Sequence, residues 1–202
     1  MAKSTSIQKI TEIKRYGGDC FLVDSTNLIY AESERLAKEF NGYYMDQFTH
    51  AERASDWRGG NNITDSIFYD YYLTGDKLLI NGKASLIEGI GRPRVEPSFI
   101  ASVIDNMLCV SNKQSIAAML WTASLLGRKV GGSTGTNMFG VLKLAQKMIE
   151  QGQTGAIVTL MCDRGERYTH SYYDKQWVAS NIGDISLQQA EITHYFDNIT
   201  NQ

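Results

Sequence analysis

Cysteine and histidine are scarce in this sequence of 202 residues, at three of each. Cys20, Cys109 and Cys162 are odd in number, far apart and in no CxxC pairing, which excludes a disulfide framework and a thiolate zinc site. We read all three as buried, inert thiols. His50, His170 and His194 show neither HExxH nor HxH spacing, so metal chemistry is not expected. No long Lys/Arg run is present, and a formal charge of -2 with a pI near 5.9 gives no field to hold nucleic acid or an anionic membrane. The longest apolar stretches, 156–162 and the interrupted 116–126, are too short for the roughly 20 residues of a membrane span. MAKSTSIQKI has no apolar h-region, so no secretory signal is expected and a cytosolic address follows.

What remains is an ordinary globular composition, 43% apolar and 21% charged, enough to bury a core in one large domain or two small ones. Ser4 or Ser6 can cap a helix through Ile7, Ile10 and Ile13, which Gly17-Gly18 ends before a strand-like run at 20–23. Asn27 can cap a second helix, stopped by Asn41-Gly42 ahead of a strand at 43–45. Residues 46–62 form a polar loop long enough to carry function. Asn61 or Asn62 then caps a short helix through Ile63, Ile67 and Tyr71, and Asn81-Gly82 suits a two-residue hairpin. Gly89, Gly91, Pro93 and Pro97 interrupt regular structure. A short apolar run at 107–110 precedes a helix from Ser111 or Asn112 to Gly127. A brief strand at 129–130 leads into the glycine-rich loop 131–137, which opens another helix, and a strand at 156–161 follows. Alternating helices and short buried strands predict an α/β chain with a mostly parallel sheet flanked by helices.

Two segments could carry chemistry. The loop 131–135 lies between a strand and a helix, where free N–H groups and the positive dipole end can hold an anion or heterocycle. It matches neither the GxxxxGK[ST] nor the GxGxxG spacing, and a plain tight turn explains it as well. Asp163, Arg164, Glu166 and Arg167 follow a buried strand, the usual place for ligand contacts in an open α/β sheet, though a solvated charged turn reads the same. From residues alone the chain is an α/β protein with an anion- or cofactor-sized cleft.

Three phrases together are more specific. IEGIGRPRVEPSFI at 87–100, SIAAM with GGSTGTN within 115–137, and LMCDRGERYTHSYY at 160–173 resemble the C-terminal half of a cysteine synthase-like enzyme dependent on pyridoxal phosphate (PLP). DQFTHAERASDWRGGNNITDSIF at 46–68 resembles the branch that includes cysteine desulfhydrases. The resemblance implies the tryptophan synthase β-like architecture, fold type II. Residues 1–44 would then be a remnant of the small domain and 45–202 an incomplete PLP-binding domain. It further implies a lyase or transferase of cysteine metabolism and amino-acid biosynthesis, with a small amino-acid substrate and a homodimeric habit. Ser133 matches the hydroxyl bonded to the pyridine nitrogen, which leaves the ring unprotonated and suits β-elimination and β-replacement; a helix-capping role is the alternative. Gly132 and Thr134 belong to the same loop. Asp163 matches a position at the ring-nitrogen edge. Gly89 matches the glycine whose backbone lies beside the bound amino acid, although a turn requirement alone could explain it.

The resemblance also marks what is missing. The Schiff-base lysine and the loop that holds the substrate carboxylate have no counterpart, and Lys3, Lys9 and Lys14 match no family lysine. Ser66 to Asp70 runs directly into Tyr71, where the family has a strand, a phosphate-gripping glycine loop, a helix and another strand. Such a unit needs roughly 30 residues. No catalytic residue is therefore assigned, PLP binding is expected to be weak, and turnover negligible. Loss of central strands should expose sheet edges, favouring aggregation unless another chain covers them.

Overall fold

The computed structural model describes residues 1–46, 60–63, 66–80 and 85–201. Most of the polar loop at 46–62 and the Asn81-Gly82 turn lie outside them. Helix α1 (Ile7–Arg15) follows Ser6, and its last turn closes when the Gly18 N–H bonds the Ile13 carbonyl at 3.0 Å across Gly17 in the left-handed region. Helix α2 (Leu28–Glu39) follows Asn27. Neither Ser6 nor Asn27 caps with its side chain. The expected strands at 20–23 and 43–45 do not form. The first gives a single parallel bridge, Val23 to Ala2, and the second joins no ladder, because an extended segment becomes a strand only beside a partner.

The helix expected through Ile63 is also corrected. Strand β1 (Gly60–Ile63) runs parallel to β2 (Met107–Val110), with Gly60 opposite Met107 and Ile63 opposite Val110. Met107 and Val110 are buried, so the edge they anchor offers a ladder that outcompetes a local cap at Asn61 or Asn62. Helix α3 (Phe68–Thr74) starts only after Ile67 and stops at left-handed Gly75. Beyond Phe68, stacked on Phe99 at 4.2 Å, the large side chains of Leu73, Leu78 and Ile80 stand in solvent.

The best-formed part is helical. Ser111 and Gln114 make a capping box for α4 (Asn112–Leu126): the Gln114 N–H donates to Ser111 Oγ at 3.2 Å and the Ser111 N–H to Gln114 Oε1 at 2.9 Å. Left-handed Gly127 ends the helix. Helix α5 (Gly132–Glu150) crosses α4 so closely that a Cβ on Gly135 would lie 2.0 Å from the Ser115 carbonyl oxygen. The Ser115 and Thr136 hydroxyls share a hydrogen bond of 2.8 Å at this crossing. Asp174 caps α6 (Lys175–Asn181), and α7 (Ser186–Thr200) lies over α4 and α5. Ile192 of α7 completes a core cluster with Val110, Ala117, Ala118, Phe139 and Leu142. A second cluster joins Ile87, Ile116, Met119 and Val130 to Tyr168 and Tyr172.

Among the described residues the parallel sheet is reduced to the β1–β2 pair, and Val130 bridges Arg164 in antiparallel sense. The segment 156–161, expected as a buried strand, joins no ladder. Val158 and Leu160 are 94% and 75% exposed. An apolar run of this kind is buried only when strands flank it and helices cover both faces, and here α5 touches it while no strand among the described residues lies beside it. The cysteines are corrected as well: Cys20 is half-buried, and Cys109 and Cys162 are exposed.

Two outcomes are expected in denaturation. Ser111→Ala should lower stability by about 1 kcal/mol, the usual value of a helix N-cap, read as a shift of the urea midpoint. Burial, with Glu191 as a further cause, raises the Tyr195 phenol to about 12, and burial also raises Tyr30, Tyr168 and Tyr172. Unfolded tyrosines ionise near pH 10. The folded chain keeps these protons longer, so stability is complete below about pH 10 and falls as pH rises toward 12. The urea midpoint should therefore be lower at pH 11 than at pH 9.

Candidate functional site

The first turn of α5 is built from residues whose small size the surroundings require. Gly131 and Gly132 are buried, and Ser133 is half-buried. A Cβ on Gly131 would meet Asp163 Oδ1 at 1.8 Å, and one on Gly132 would meet the Tyr172 ring at 3.0 Å and Ile87 at 3.1 Å. The first intrahelical bond at this end is that of the Gly135 N–H to the Gly131 carbonyl, so the N–H groups of Gly132, Ser133 and Thr134 have no acceptor within the helix. Among the described residues the Ser133 hydroxyl makes no hydrogen bond. Thr134 does: its buried hydroxyl accepts the Cys162 N–H at 3.0 Å and ties the loop to the 162–165 turn.

Asp163 sits against this loop. Its carbonyl accepts the Gly131 N–H at 3.0 Å, and its Oδ2 accepts the Tyr168 hydroxyl at 2.5 Å with Arg167 at 3.6 Å. Its Oδ1 is buried and has no hydrogen-bond partner. The glycine loop and the Asp163 turn thus lie side by side, although no strand precedes the second of them.

Gly89 belongs to a different wall. It is left-handed, with φ 85°, and lines a cavity of about 430 Å³ between α2 and the segment 85–93. Tyr172 links this wall to the glycine loop. Its ring lies under Gly132, while its hydroxyl donates to the Leu86 carbonyl and accepts the Glu88 N–H, both at 2.8 Å. Tyr172 also stacks on Tyr168, with ring centroids 4.7 Å apart, and Trp177 meets it edge-on at 5.6 Å. Tyr173 bonds both the N–H and the carbonyl of Val130 at 2.8 Å. Burial holds Tyr168 and Tyr172 well above the ordinary phenol range, so both remain neutral donors.

Sequence reasoning missed these tyrosines and most of the cavity. Thr26, Tyr30, Asp46 and Arg92 line it together with Ile87 and Gly89. Tyr30 donates to Glu96, a carboxylate only 2% exposed, which also takes Arg94 Nε at 3.2 Å. The Arg94 guanidinium lies 3.5 Å over the Tyr30 ring. No motif spacing links α2 to the segment after Gly89, so nothing in the sequence order signals this cluster. Lys9, given no family role above, pairs its ammonium with Glu88 next to Gly89.

No protein-family model matches the chain. An L-cysteine desulfhydrase of Mycobacterium tuberculosis is 38% identical to it over 245 residues, covering 96% of this chain and 67% of that protein. That alignment is longer than the chain's own 202 residues, so the relative carries residues that this chain lacks. A cysteine synthase of Neurospora crassa is 25% identical over 115 residues; this match covers 56% of the chain but only 30% of the synthase. A hydrogen sulfide-producing enzyme of Fusobacterium nucleatum superposes with a TM-score of 0.62 at 16% identity, covering 93% of this chain and 68% of that one. Taken with the Gly131 loop and the Gly89 turn, these likenesses place the chain, as a partial member, in the PLP-dependent cysteine synthase and cysteine desulfhydrase family of fold type II.

Proposed function

We propose that the chain keeps the ring-nitrogen edge and the amino-acid edge of a PLP site built for β-replacement or β-elimination on cysteine- or serine-type amino acids. By itself it does not turn substrate over. The observation that carries this reading is the Ser133 hydroxyl, half-buried and without a hydrogen bond among the described residues, on the first turn of α5 beside the buried glycines and Asp163. When bound, PLP supplies an electron sink for chemistry at the β-carbon. Ser133 would hold its ring nitrogen, and a neutral hydroxyl there leaves that nitrogen unprotonated. Gly132 and Thr134 shape the loop around it. Asp163, already engaged by Tyr168 and Arg167, supports the loop from behind.

The rest of the cofactor does not fit. Lys9, the lysine paired with Glu88 beside Gly89, matches no family lysine. The phosphate would need a loop from the internal block, and the length of the desulfhydrase alignment together with the unpaired segment 156–161 supports the loss of that block. A second reading, a non-catalytic remnant that serves as an interaction partner or homodimer subunit, is favoured by the same exposed segment, whose apolar side chains lack cover.

Titrated with PLP, the 202-residue chain should bind weakly and without a covalent link, and borohydride should leave no label on any lysine. A label fixed to one lysine would overturn the reading. Ser133→Ala should weaken PLP binding by no more than about tenfold, since one hydroxyl contact contributes roughly 0.5 to 1.5 kcal/mol.

A further inference from the structure

The segment 153–162 runs without helix, turn or bend, and it contains neither a charged residue nor a proline. Its main chain is nearly bare. The Leu160 carbonyl accepts Asn137 Nδ2 at 3.0 Å, and the Cys162 N–H donates to the Thr134 hydroxyl at 3.0 Å. The N–H and carbonyl groups of Ile157, Thr159 and Met161 have no partner among the described residues. Along a straight segment alternate residues send their main-chain groups to opposite edges. The first turn of α5 therefore covers the edge of Leu160 and Cys162, and the edge of Ile157, Thr159 and Met161 stands open.

A row of open N–H and carbonyl groups is completed by another strand, since a helix spends its main-chain groups on itself. A second copy of the same run fits, because an uncharged segment meets itself without repulsion. Charge also decides the sense of pairing. Asp163 and Arg164 follow the run, and a parallel, in-register pair would set Asp163 against Asp163 and Arg164 against Arg164, which is destabilising. An antiparallel pair centred on Thr159 sets Asp163 against Gly155 and Arg164 against Thr154, and it pairs the whole run 156–162 with itself. Thr159 then faces Thr159, and Ile157 faces Met161, as hydrogen-bonded pairs on the open edge. Val158, exposed in the single chain, comes to lie beside the exposed Leu160 of the other copy. Apolar and Thr–Thr pairs of this kind are favourable across strands.

We propose that two copies of this chain pair antiparallel through the open edge of 156–162, about a two-fold axis at Thr159. The inference rests on the reading of the chain as a homodimer subunit and supplies its surface and register. Because α5 covers the other edge at Leu160 and Cys162, the assembly closes at two copies.

Sedimentation velocity of the whole chain tests this. A contact this short associates weakly, so the parent should pass from monomer to dimer between about 2 µM and about 200 µM. Thr159 is exposed, so Thr159→Lys and Thr159→Glu should leave the fold intact, which circular dichroism checks. Each sets like charges face to face and should weaken self-association at least roughly tenfold. Mixed in equal amounts, the two variants should dimerise again, because position 159 meets only itself across the axis. Hydrogen exchange on the parent needs no variant: protection of the Ile157, Thr159 and Met161 N–H groups should rise with concentration. A parent that stays monomeric overturns both the proposal and the homodimer reading. Single variants that dimerise like the parent, a mixture that stays monomeric, growth beyond the dimer, or a dimer whose exchange at 157–161 is unchanged each overturn this surface and leave that reading standing.

Discussion

Much of the arrangement depends on one buried phenol. Tyr172 is 2% exposed, and its ring and hydroxyl work on different segments. The ring supports Gly132 and stacks on Tyr168, which in turn holds Asp163; the hydroxyl pins both Leu86 and Glu88 just before the Gly89 turn. Leu86 and Tyr172 are 86 residues apart in sequence, so this hydrogen bond closes a long loop that the two-stranded sheet does not. Without it the glycine loop and the Gly89 wall would be joined chiefly by the Ile87 side chain in the core. Phenylalanine would keep the ring and leave the Glu88 N–H and Leu86 carbonyl to find water.

The glycine loop is held from its other side by the crossing of α4 and α5. Close approach at Gly135 and the hydroxyl pair of Ser115 and Thr136 set the height of the first turn, which leaves the Ser133 hydroxyl half-buried rather than covered. Any side chain at Gly135 would push against the Ser115 backbone, and overpacking of this kind typically costs about 1–3 kcal/mol. The turn that carries Ser133 is therefore held by helix packing and not by the β1–β2 ladder.

The segment 156–161 shows the other side of this division. Its composition is that of an interior strand, and all its side chains but the half-buried Ile157 stand in water. It is uncharged and contains no proline, so it lacks the usual devices that protect a β-edge. The same loss leaves the helical half intact, because α4, α5 and α7 bury their cluster against one another and the short β2 strand.

Local chemistry made the helical half legible. The Ser111 and Gln114 capping box, the stop at Gly127 and the start of α5 at the 131–137 loop are set by residues within a few positions of one another, as are the ends of α1 and α2. The family, too, was readable from short phrases around Gly89, Ser133 and Asp163. What could not be read was everything that needs a distant partner. Residues 60–63 became a strand because Met107–Val110 lay beside them, and 20–23, 43–45 and 156–161 did not because no ladder was at hand. The cysteines expected inside lie at or near the surface for the same reason, since burial is a property of what packs over a residue. The tyrosine clamp and the cavity of Thr26, Asp46 and Arg92 join positions dozens of residues apart, with no spacing that a sequence could display. Caps and stops are short-range and written into neighbouring residues; ladders, burial and the meeting of opposite charges are long-range, and only the folded chain decides them.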